Sequence, residues 1–573
     1  MKCLSSKAFR MATVSFFAWQ LLTPQAFTQW STSPMENNAI CVDTNWQNAS
    51  RIVSDGSGGA IIAWWDWNMT TNDHDIYAQR INSSGVVQWT TRGVPICTNP
   101  LHQQNPEMVS DGNGGAIITW FDRRNNDKNE IFAQKINSEG VVQWTADGVS
   151  VGTVAEHFQH GSPTITGDGS GGAIIAWEDW RGDLYNPIRG IYAQNINAEG
   201  DIQWGVGGIS LNGTGGGEGP KIVSDGNGGA IIAWHQYDGV YPDGNINIYA
   251  QKINVNDSIS WAPEGIALCS LPSGQVHVEI VSDGNEGAII VWEDYRNESY
   301  GNLYAQKINA VGITQWTSDG IPIVPFELGQ VNHKLLSDGN GGMFFTWQYT
   351  NNIVCTQRIN SDGVYQWRVD GVTVNNFRES IYPEIATDGG SGAIVTWYNL
   401  EGNIFAQRVD SAGTVLWDNN GVYICGDPLR QYEPQITADG TGGAIITWGD
   451  ERNDATNSVD IYAQRISGNG TLGTETGIIE EKNSIASGFS LGQNYPNPFT
   501  GTTTISYKVN ASGHVFLKVY NIEGKEVATL VDRNMGPGSY TVQFDASGLP
   551  GGVYYYSMGT GNVTDIKSMI LVK

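Results

Sequence analysis

One pattern of apolar and polar positions recurs along most of the chain. In its clearest copy, the run Glu107–Ser110 leads through a turn at Asp111–Gly115 into the almost wholly apolar run Ala116–Trp120. Two further runs, Glu130–Asn137 and Val141–Val151, complete the copy before the pattern starts again. Short β-rich runs bounded by Asp, Asn and Gly predict strands joined by tight turns. Each copy is therefore predicted to form four short β-strands.

An aspartate in the first turn marks eight copies of the pattern. Consecutive turn aspartates are 50 to 58 residues apart, at Asp55, Asp111, Asp168, Asp225, Asp283, Asp338, Asp388 and Asp439. Four antiparallel strands at this period are typical of a β-propeller blade. The second strand is apolar on both faces, which requires a neighbouring blade against each face. The pattern thus predicts an all-β fold, an eight-bladed β-propeller.

The two ends of the repeat region complement each other. The eighth copy stops at Ile466, without the Gln-Trp segment that follows the third strand in other copies. Near the N-terminus, Gln29–Cys41 resembles Gln88–Cys97, with Gln-Trp at its start and Ile-Cys at its end. Closing a ring removes exposed sheet edges. We therefore expect the N-terminal strand to complete the last blade, so that the propeller spans residues 29–466.

The segments outside the repeats have other features. Residues 1–28 are typical of a secretory signal peptide, because Lys2, Lys7 and Arg10 precede the apolar stretch Met11–Leu22. No later stretch has about 18 uninterrupted apolar residues, so no transmembrane segment is expected after the signal is removed. Residues 467–487 contain Gly, Ser, Thr and Glu without the repeat pattern and are predicted to be a linker.

Residues 488–573 differ in character from the repeats. They contain YPNPF at Tyr495–Phe499, VYNIEGKEV at Val519–Val527 and DASGLPGGVYYY at Asp545–Tyr556, and they end in Lys573. Alternating strands separated by EG, PG and GG turns predict a small Ig-like β-sandwich.

These motifs together closely resemble the C-terminal sorting domain (type A) of the type IX secretion system of Bacteroidetes and their relatives. The resemblance implies signal-dependent export to the periplasm and then passage through an outer-membrane translocon. It also implies removal of the domain by a sortase-like peptidase. The translocon and the peptidase are therefore the implied partners, and the implied location is extracellular or on the outer cell surface.

Charge and cysteine content narrow the classes of partner. The chain has 58 acidic and 31 basic residues, a formal net charge of −27, so it repels phosphate backbones and no nucleic acid partner is expected. Five cysteines remain after signal removal, and an odd number argues against a full disulfide framework. Four of them share one repeat position with Gly152, Asn212, Val324 and Asn375, which is not the pattern of a metal ligand. We expect small buried thiols.

Most of the tryptophans belong to the repeats, but a few aromatic residues do not. Of 21 tryptophans, only Trp46, Trp65, Trp67 and Trp180 lie outside both the second- and fourth-strand positions and the signal. The connections after strands two and four vary in length, and both sets project from the same face because strand direction alternates. Variable loops on a rigid scaffold often carry binding residues. The predicted binding residues on this face are Trp46, Trp65, Trp67, Trp180, Tyr185, Tyr237, Tyr241, Tyr295 and Tyr300.

A polar position begins the first strand of every copy. The first strand of a propeller blade is innermost, so these residues are expected to surround the mouth of a central channel. The charged members are Arg51, Glu107, Lys221, Glu279, Lys334 and Glu384, and Thr164 and Gln435 are neutral. Their mixed signs predict salt links between neighbouring blades, such as Glu279 with Lys221 or Lys334.

Several other patterns are better explained by structure than by chemistry. The Asp-Gly-x-Gly-Gly turn offers oxygen ligands to calcium, but its recurrence in every copy favours an aspartate that caps a tight turn. Asp122 and Arg124, like three similar pairs after second strands, are expected to pair on one face. The tripeptide Arg181–Asp183 belongs to this pattern, although it resembles an integrin-binding motif. No metal or other cofactor is predicted, because the histidines are scattered without Cys, Asp or Glu to join them.

The leading hypothesis for function is a secreted or cell-surface propeller that binds a glycan or a protein. Two alternatives stay open. One is an extracellular polysaccharide hydrolase or lyase that uses carboxylates of the channel mouth, and the other is a purely structural envelope protein. No catalytic set is predicted.

Overall fold

The computed structural model describes residues 29–573 except 126–128, 153–160, 162, 184–185, 214, 239–244, 297–299, 325–328, 376–378, 454–457, 474–488, 492–493, 495, 498, 510–511, 522–524 and 561–562. All regular structure in this part of the chain is β-strand, with no helix and hence no helical segment suited to crossing a membrane. The predicted signal peptide and most of the predicted linker lie outside the described residues. The chain divides into two compact units, Met1–Glu475 and Thr476–Lys573.

The described strands of the first unit form eight antiparallel sheets of four strands each. Sheet 1 contains β2 (Trp46–Ser54), β3 (Ala60–Asn68), β4 (Asp73–Ile81) and β5 (Val94–Cys97). Sheet 2 contains β6 (Gln103–Ser110), β7 (Ala116–Asp122), β8 (Glu130–Ile136) and β9 (Val149–Ser150). Sheet 3 contains β10 (Thr164–Gly167), β11 (Ala173–Asp183), β12 (Asn186–Ile196) and β13 (Ile209–Ser210). Sheet 4 contains β14 (Gly216–Ser224), β15 (Ala230–Asp238), β16 (Asn245–Ile253) and β17 (Ile266–Cys269).

The other four sheets of this unit follow the same order. Sheet 5 contains β18 (Gln275–Ser282), β19 (Ala288–Asp294), β20 (Asn302–Ile308) and β21 (Ile321–Pro322). Sheet 6 contains β22 (Gln330–Ser337), β23 (Met343–Tyr349), β24 (Ile353–Ile359) and β25 (Val372–Thr373). Sheet 7 contains β26 (Ser380–Thr387), β27 (Ala393–Asn399), β28 (Ile404–Val409) and β29 (Val422–Cys425). Sheet 8 contains β30 (Gln431–Ala438), β31 (Ala444–Asp450), β32 (Asp460–Ile466) and β1 (Asn38–Cys41), so its fourth strand comes from the N-terminal segment.

The second unit has two described sheets. A three-stranded sheet has the order β33 (Phe489–Leu491), β34 (Thr502–Val509) and β37 (Gly538–Asp545). A four-stranded sheet has the order β36 (Glu526–Met535), β35 (Gly513–Tyr520), β38 (Gly552–Thr560) and β39 (Val563–Leu571). Strict alternation of exposed and buried side chains along β34 puts one face of its sheet against the core of this unit.

The fourth strand of the second copy is shorter than the sequence predicts. In sheet 2 the predicted run Val141–Val151 contains only one isolated bridge, between Val142 and Ile136, and the two-residue strand β9. A turn separates them, because the Gly148 amide donates to the Thr145 carbonyl oxygen. Trp144 therefore lies beside this turn and not within a strand. The hydrogen bonds of the turn compete with pairing to β8, which the alternation of side chains alone does not reveal.

The turn between the first and second strands has the same construction in all eight sheets, and we call this end of the strands the turn end. One carboxylate oxygen of each turn aspartate accepts the amide hydrogens two and four residues later, at 2.7–3.0 Å. In seven sheets the second oxygen meets a Lys or Arg of the third strand, as Asp55 meets Arg80 at 2.9 Å. Each aspartate therefore caps the tight turn with its carboxylate, as the sequence predicts.

A tryptophan after each third strand links every sheet to the next one. Its Nε1 donates to a backbone carbonyl oxygen in the turn of the following copy, as Trp89 donates to Ser138 at 3.2 Å. The last link runs from Trp30 to Ser83 at 3.0 Å and therefore joins sheet 8 to sheet 1. The first strands of successive sheets also contact one another, including β30 with β2. The eight sheets thus form a closed cycle.

The core of the first unit lies between the sheets. The tryptophan of each second strand is fully buried, and the apolar clusters each combine two successive sheets. One cluster joins Ile445 and Ile461 of sheet 8 to Ile62 and Trp64 of sheet 1. Packing of this kind stabilises by about 25 cal/mol for each Å² of apolar surface removed from water. Both faces of a second strand contribute, which explains why these strands are apolar throughout.

An arginine crosses three of the boundaries between sheets. Arg124 of sheet 2 pairs with Asp122, and its Cζ lies 3.8 Å from the centroid of the Phe132 ring. Its Nη2 also contacts Cys97 Sγ of sheet 1 at 3.1 Å and the Asp147 carbonyl oxygen at 2.7 Å. Equivalent arrangements are built around Arg296 and Arg452. The predicted Asp-x-Arg pairs therefore connect neighbouring sheets; the Arg181 side chain lies outside the described residues.

The five cysteines of the described residues are free and buried. Cys97, Cys269 and Cys425 contact an arginine side chain of the next sheet. Burial raises the pKa of the Cys269 thiol to about 11, so this side chain stays protonated at neutral pH. These thiols are part of the packing between sheets.

Candidate functional site

A distortion of the first strand shapes the opposite end of the sheets, which we call the mouth end. In every sheet except sheet 3, the register of the first and second strands shifts there. The residue at the shift has a positive φ in all seven sheets: Ala49, Asn105, Gly219, His277, Asn332, Tyr382 and Glu433. Two residues after each of them comes the polar position that the sequence predicts to line the channel. A bulge of this kind redirects the side chains that follow it.

The charged side chains at these positions form an alternating series. Glu279 Oε1 lies 3.0 Å from Lys221 Nζ and 3.9 Å from Lys334 Nζ, and Lys334 Nζ lies 3.2 Å from Glu384 Oε1. Gln435 extends the series by donating to Glu384 Oε1 at 3.3 Å. Arg51 and Glu107 form a separate pair at 2.9 Å. We call these residues the charged ring; both salt links predicted for Glu279 are present.

The ring controls the charge of its own members. Burial alone would raise the pKa of Glu279, but Lys221 and Lys334 outweigh it and lower that pKa to about 2. The Glu384 carboxylate raises the pKa of Lys334 above its ordinary value against the opposing effect of burial. The Glu107 carboxylate likewise raises the pKa of Arg51. Glu279, Lys334 and Arg51 are therefore ionised at neutral pH, as expected for charged groups held in contact with groups of opposite charge.

Two cavities open at the charged ring. One, of about 630 Å³, is lined by Arg51, Glu107, Lys334 and Glu384 together with Trp65 and Tyr382. The other, of about 520 Å³, is lined by Glu279, His277, Tyr295 and His333. Lys221, Lys334, Tyr382 and Glu384 line both cavities, so the two are neighbours. Cavities of this size with aromatic and charged walls suit a small ligand or a segment of a larger one.

Three of the predicted binding residues come together beside the first cavity. Trp46 and Trp67 face each other across β2 and β3 with ring centroids 5.6 Å apart. Trp67 stacks on His74 at 5.8 Å, and Trp65 meets the same ring edge-on at 5.0 Å. His74 Nδ1 lies 2.6 Å from Nδ1 of His102, the first histidine of the next copy. Burial, with His102 adding to it, lowers the pKa of His74 to about 4, so this ring is neutral at pH 7.

The other predicted aromatic residues are distributed among other sheets. The Trp180 ring lies 4.0 Å below the Arg189 guanidinium, and Tyr295 donates to Glu293 Oε2 at 3.3 Å in the second cavity. Tyr237 is half-buried at the end of β15, and the Tyr300 side chain is 59% exposed. Tyr185 and Tyr241 lie outside the described residues. The structure thus groups Trp46, Trp65 and Trp67 but does not bring the whole predicted set to one place.

Several residues of the mouth end were not predicted as site residues. Tyr382 lines both cavities and stacks on Tyr398 with centroids 5.7 Å apart. His277 Nδ1 lies 3.0 Å from Glu293 Oε2. A partial signal exists in the sequence, because a proline follows Asn105, Tyr382 and Glu433 directly. Proline disfavours the α-helical region for the residue before it, but this alone does not reveal the register shift.

Among the described residues there is no group of three or more His, Cys, Asp or Glu side chains arranged to hold a metal ion. The polar groups of the charged ring satisfy one another, and their geometry suits recognition of a polar ligand by exchange of hydrogen bonds.

Three solved structures with which the chain shares a distant similarity are a lectin, a lyase and an arabinase. A lectin from Burkholderia pseudomallei is 10% identical, with 66% of this chain and 98% of the lectin covered at a TM-score of 0.45. An ulvan lyase from a new family of polysaccharide lyase is 11% identical, with 77% and 97% covered at 0.41. An endo-arabinase from Bacteroides thetaiotaomicron is 13% identical, with 53% and 99% covered at 0.23. No curated protein matches the sequence.

The C-terminal unit has a specific match. Residues 493–573 match the family model described as the secretion system C-terminal sorting domain. This segment contains the motifs on which the resemblance to the type IX sorting domain rests, and it indicates export to the cell surface or the extracellular space. The chain therefore carries a type IX C-terminal sorting domain and is a protein exported by that system.

Proposed function

We propose that this protein is a secreted or cell-surface binding protein whose ligand, a glycan or a protein, is held at the mouth end. In this proposal residues 29–466 form an eight-bladed β-propeller that presents the charged ring and its two cavities. Residues 1–28 are the signal peptide, and residues 467–487 link the propeller to an Ig-like sorting domain at residues 488–573. That domain engages the type IX translocon and is removed by a sortase-like peptidase.

The observation that carries the proposal is that residues of the charged ring line two neighbouring cavities whose walls also contain aromatic side chains. The carboxylates and cations neutralise one another, but each keeps part of its surface exposed. Such groups exchange hydrogen bonds with a polar ligand while Trp65, Tyr382 and Tyr295 cover its apolar faces. A ligand with both polar edges and flat apolar faces, as sugars have, matches these walls.

The ionisation of Glu279 argues against this residue as the proton donor of a hydrolase. A glycosidase needs a carboxylic acid that keeps its proton near neutral pH. Glu279 has its pKa lowered to about 2 and is ionised throughout the neutral range. Glu279 therefore does not meet this requirement.

A glycan array and a panel of surface proteins, probed with the mature chain, test the proposal. We expect retention of at least one ligand class and at least a tenfold loss of affinity for Trp65→Ala, which removes an aromatic wall of the first cavity. Tenfold corresponds to about 1.4 kcal/mol, within the range of one aromatic contact. Tyr365→Ala, at the turn end, serves as the control and should bind normally.

Two results would contradict the proposal. Retention of no ligand on either panel would favour the structural envelope protein. Turnover of a polysaccharide that disappears in Glu107→Gln or Glu384→Gln would instead favour the hydrolase or lyase.

A further inference from the structure

Sheet 7 lacks the arginine that crosses the boundary between sheets in sheets 2, 5 and 8. By alignment of the copies, Asn399 stands where sheet 2 has Asp122, and Glu401 stands where it has Arg124. Phe405 pairs with Trp397 across β27 and β28 as Phe132 pairs with Trp120 across β7 and β8. Sheet 7 therefore keeps the aromatic ring on which the arginine stacks in sheet 2, but both members of the Asp-x-Arg pair are replaced.

The space left by this replacement is a pocket of about 710 Å³, which we call the sheet 7 pocket. Its walls include Phe405 and Tyr423, whose ring centroids are 4.3 Å apart. It shares none of its described lining residues with the two cavities at the charged ring. The pocket is therefore a separate site.

Three polar atoms lining the pocket are buried without a hydrogen-bond partner: Trp397 Nε1, Asn375 Oδ1 and Asn420 Oδ1. Trp397 is fully buried and Asn375 is 3% exposed. A buried polar atom without a partner costs about 1 to 3 kcal/mol. Three such atoms around one pocket indicate that the pocket is built to receive a polar group.

The corresponding atoms of the occupied sites show what that group is. The donor Trp120 Nε1 is bonded to Asp122 Oδ2 at 3.0 Å, whereas Asn399 Oδ1 is turned away to accept the Asn403 amide hydrogen at 2.8 Å. Asn375 takes the place of Cys97, which contacts the arginine in the occupied site. In sheet 8 an asparagine, Asn37, accepts directly from the Arg452 guanidinium at 2.9 Å.

The charge of the pocket agrees with a cationic occupant. Three carboxylates, Glu379, Glu401 and Asp418, are among its described lining residues, and these residues include no lysine or arginine. A planar guanidinium stacks on an aromatic ring and donates in several directions at once, which an ammonium group does not do. Phe405 supplies the ring, and the two asparagine oxygens supply acceptors.

We propose that the sheet 7 pocket binds the guanidinium group of an arginine side chain from a partner protein, stacked on Phe405 and hydrogen-bonded by Asn375 and Asn420. An acceptor of the partner close to that arginine then meets Trp397 Nε1, the donor that Asp122 accepts from at the equivalent Trp120. The ligand is thus an exposed arginine of a protein with an acceptor beside it, and its guanidinium takes the position that the chain's own arginine guanidinium holds in three other described sheets. This inference does not depend on a ligand at the charged ring.

Calorimetric titration of the mature full chain with acetyl-Asp-Gly-Arg-amide tests the proposal. Two matched peptides replace arginine with lysine or with citrulline, which has nearly the same shape without the charge. We expect the arginine peptide to bind at least tenfold more tightly than either, because only a guanidinium combines stacking, charge and several donors. Equal affinity for the arginine and citrulline peptides would overturn the proposal.

A double variant, Asn399→Asp with Glu401→Arg, provides the second arm. It restores the Asp-x-Arg pair of the occupied sheets, so it should fill the pocket, abolish binding of the arginine peptide and leave the chain folded. Glu199→Gln, at an exposed turn, makes the same net charge change of one positive unit outside the pocket and should bind as the native chain does. Undiminished binding by the double variant would place the peptide elsewhere and overturn the proposal.

The chain's own Arg378 requires a third arm, since it directly precedes Glu379 in the sequence and lies outside the described residues. In Arg378→Ala we expect the same affinity for the arginine peptide as in the native chain. Binding that appears only in this variant would identify Arg378 as the natural occupant and overturn the proposal of a partner's arginine.

Discussion

The two ends of the strands in the repeat unit are built to different rules. At the turn end, the same aspartate bonds and tryptophan links occur in all eight copies. At the mouth end the backbone also repeats, with the same register shift in seven copies, but the side chains it presents are basic, acidic or aromatic. At the mouth end the backbone is repeated but the side chains differ from copy to copy, so this end can carry binding residues. The turn end instead carries the repeated bonds that close the cycle.

The largest effect is expected from removing the Trp30 side chain, which joins sheet 8 to sheet 1 at the turn end. Trp30 is fully buried between sheets 8 and 1. Trp30→Ala should lower the free energy of unfolding by about 3 to 5 kcal/mol, because it leaves a cavity there. Trp30→Phe keeps most of the ring volume and loses mainly the bond to Ser83, so it should cost about half as much or less. Chemical denaturation measures both, and equal losses would mean that burial of the ring is not what holds the closure.

An intermediate effect is expected at the charged ring of the mouth end. The folded pKa of Glu279, about 2, lies below its ordinary value of 4.5, so its ion pairs contribute fully above pH 4.5 and are lost as pH falls toward 2. At about 1.4 kcal/mol for each pKa unit, the contribution is of the order of 3 kcal/mol. Glu279→Gln should therefore lower stability at pH 7 and flatten its decline between pH 4.5 and 2.

Denaturation at a series of pH values measures this change, with Glu199→Gln at an exposed turn as the control. The control should leave the acid decline of the native chain in place. An unchanged decline in Glu279→Gln would show that Glu279 gains nothing from Lys221 and Lys334.

The smallest predicted effect is a gain in stability. It tests whether the backbone at the register shift of the mouth end is strained. Glu433 is exposed and has a φ of 52°, a backbone conformation that favours glycine. Glu433→Gly should raise the melting temperature, through a gain of about 1 kcal/mol or less. Glu433→Ala removes the same charge but keeps the unfavourable conformation, so it should give no such gain. Equal behaviour of the two variants in thermal denaturation would argue against strain at the bulge.

Local sequence was a good guide wherever the interactions are local. The turn aspartates, for example, bond amides two and four residues away. The salt links of Glu279 join residues far apart in the chain, and they were predicted because these residues hold the same position in successive copies. The fourth strand was predicted too long, because the turn at Thr145–Gly148 competes with pairing to β8. The bulges were missed, since residues such as Ala49 and Tyr382 do not signal a positive φ in the way glycine does.

By itself, the sequence determined that the chain has eight equivalent β-units, which residues build their turns, and that a sorting domain follows them. These features recur in the sequence or involve residues close together in it, so the sequence reveals them without knowledge of which distant segments contact each other. Only the tertiary structure decided that Trp65 and Trp67 pack on His74, with Trp46 against Trp67, while the other described aromatics of the predicted set lie elsewhere. The same holds for the sheet 7 pocket, where Asn375, from the connection after sheet 6, meets the strands and turns of sheet 7 only in the folded chain.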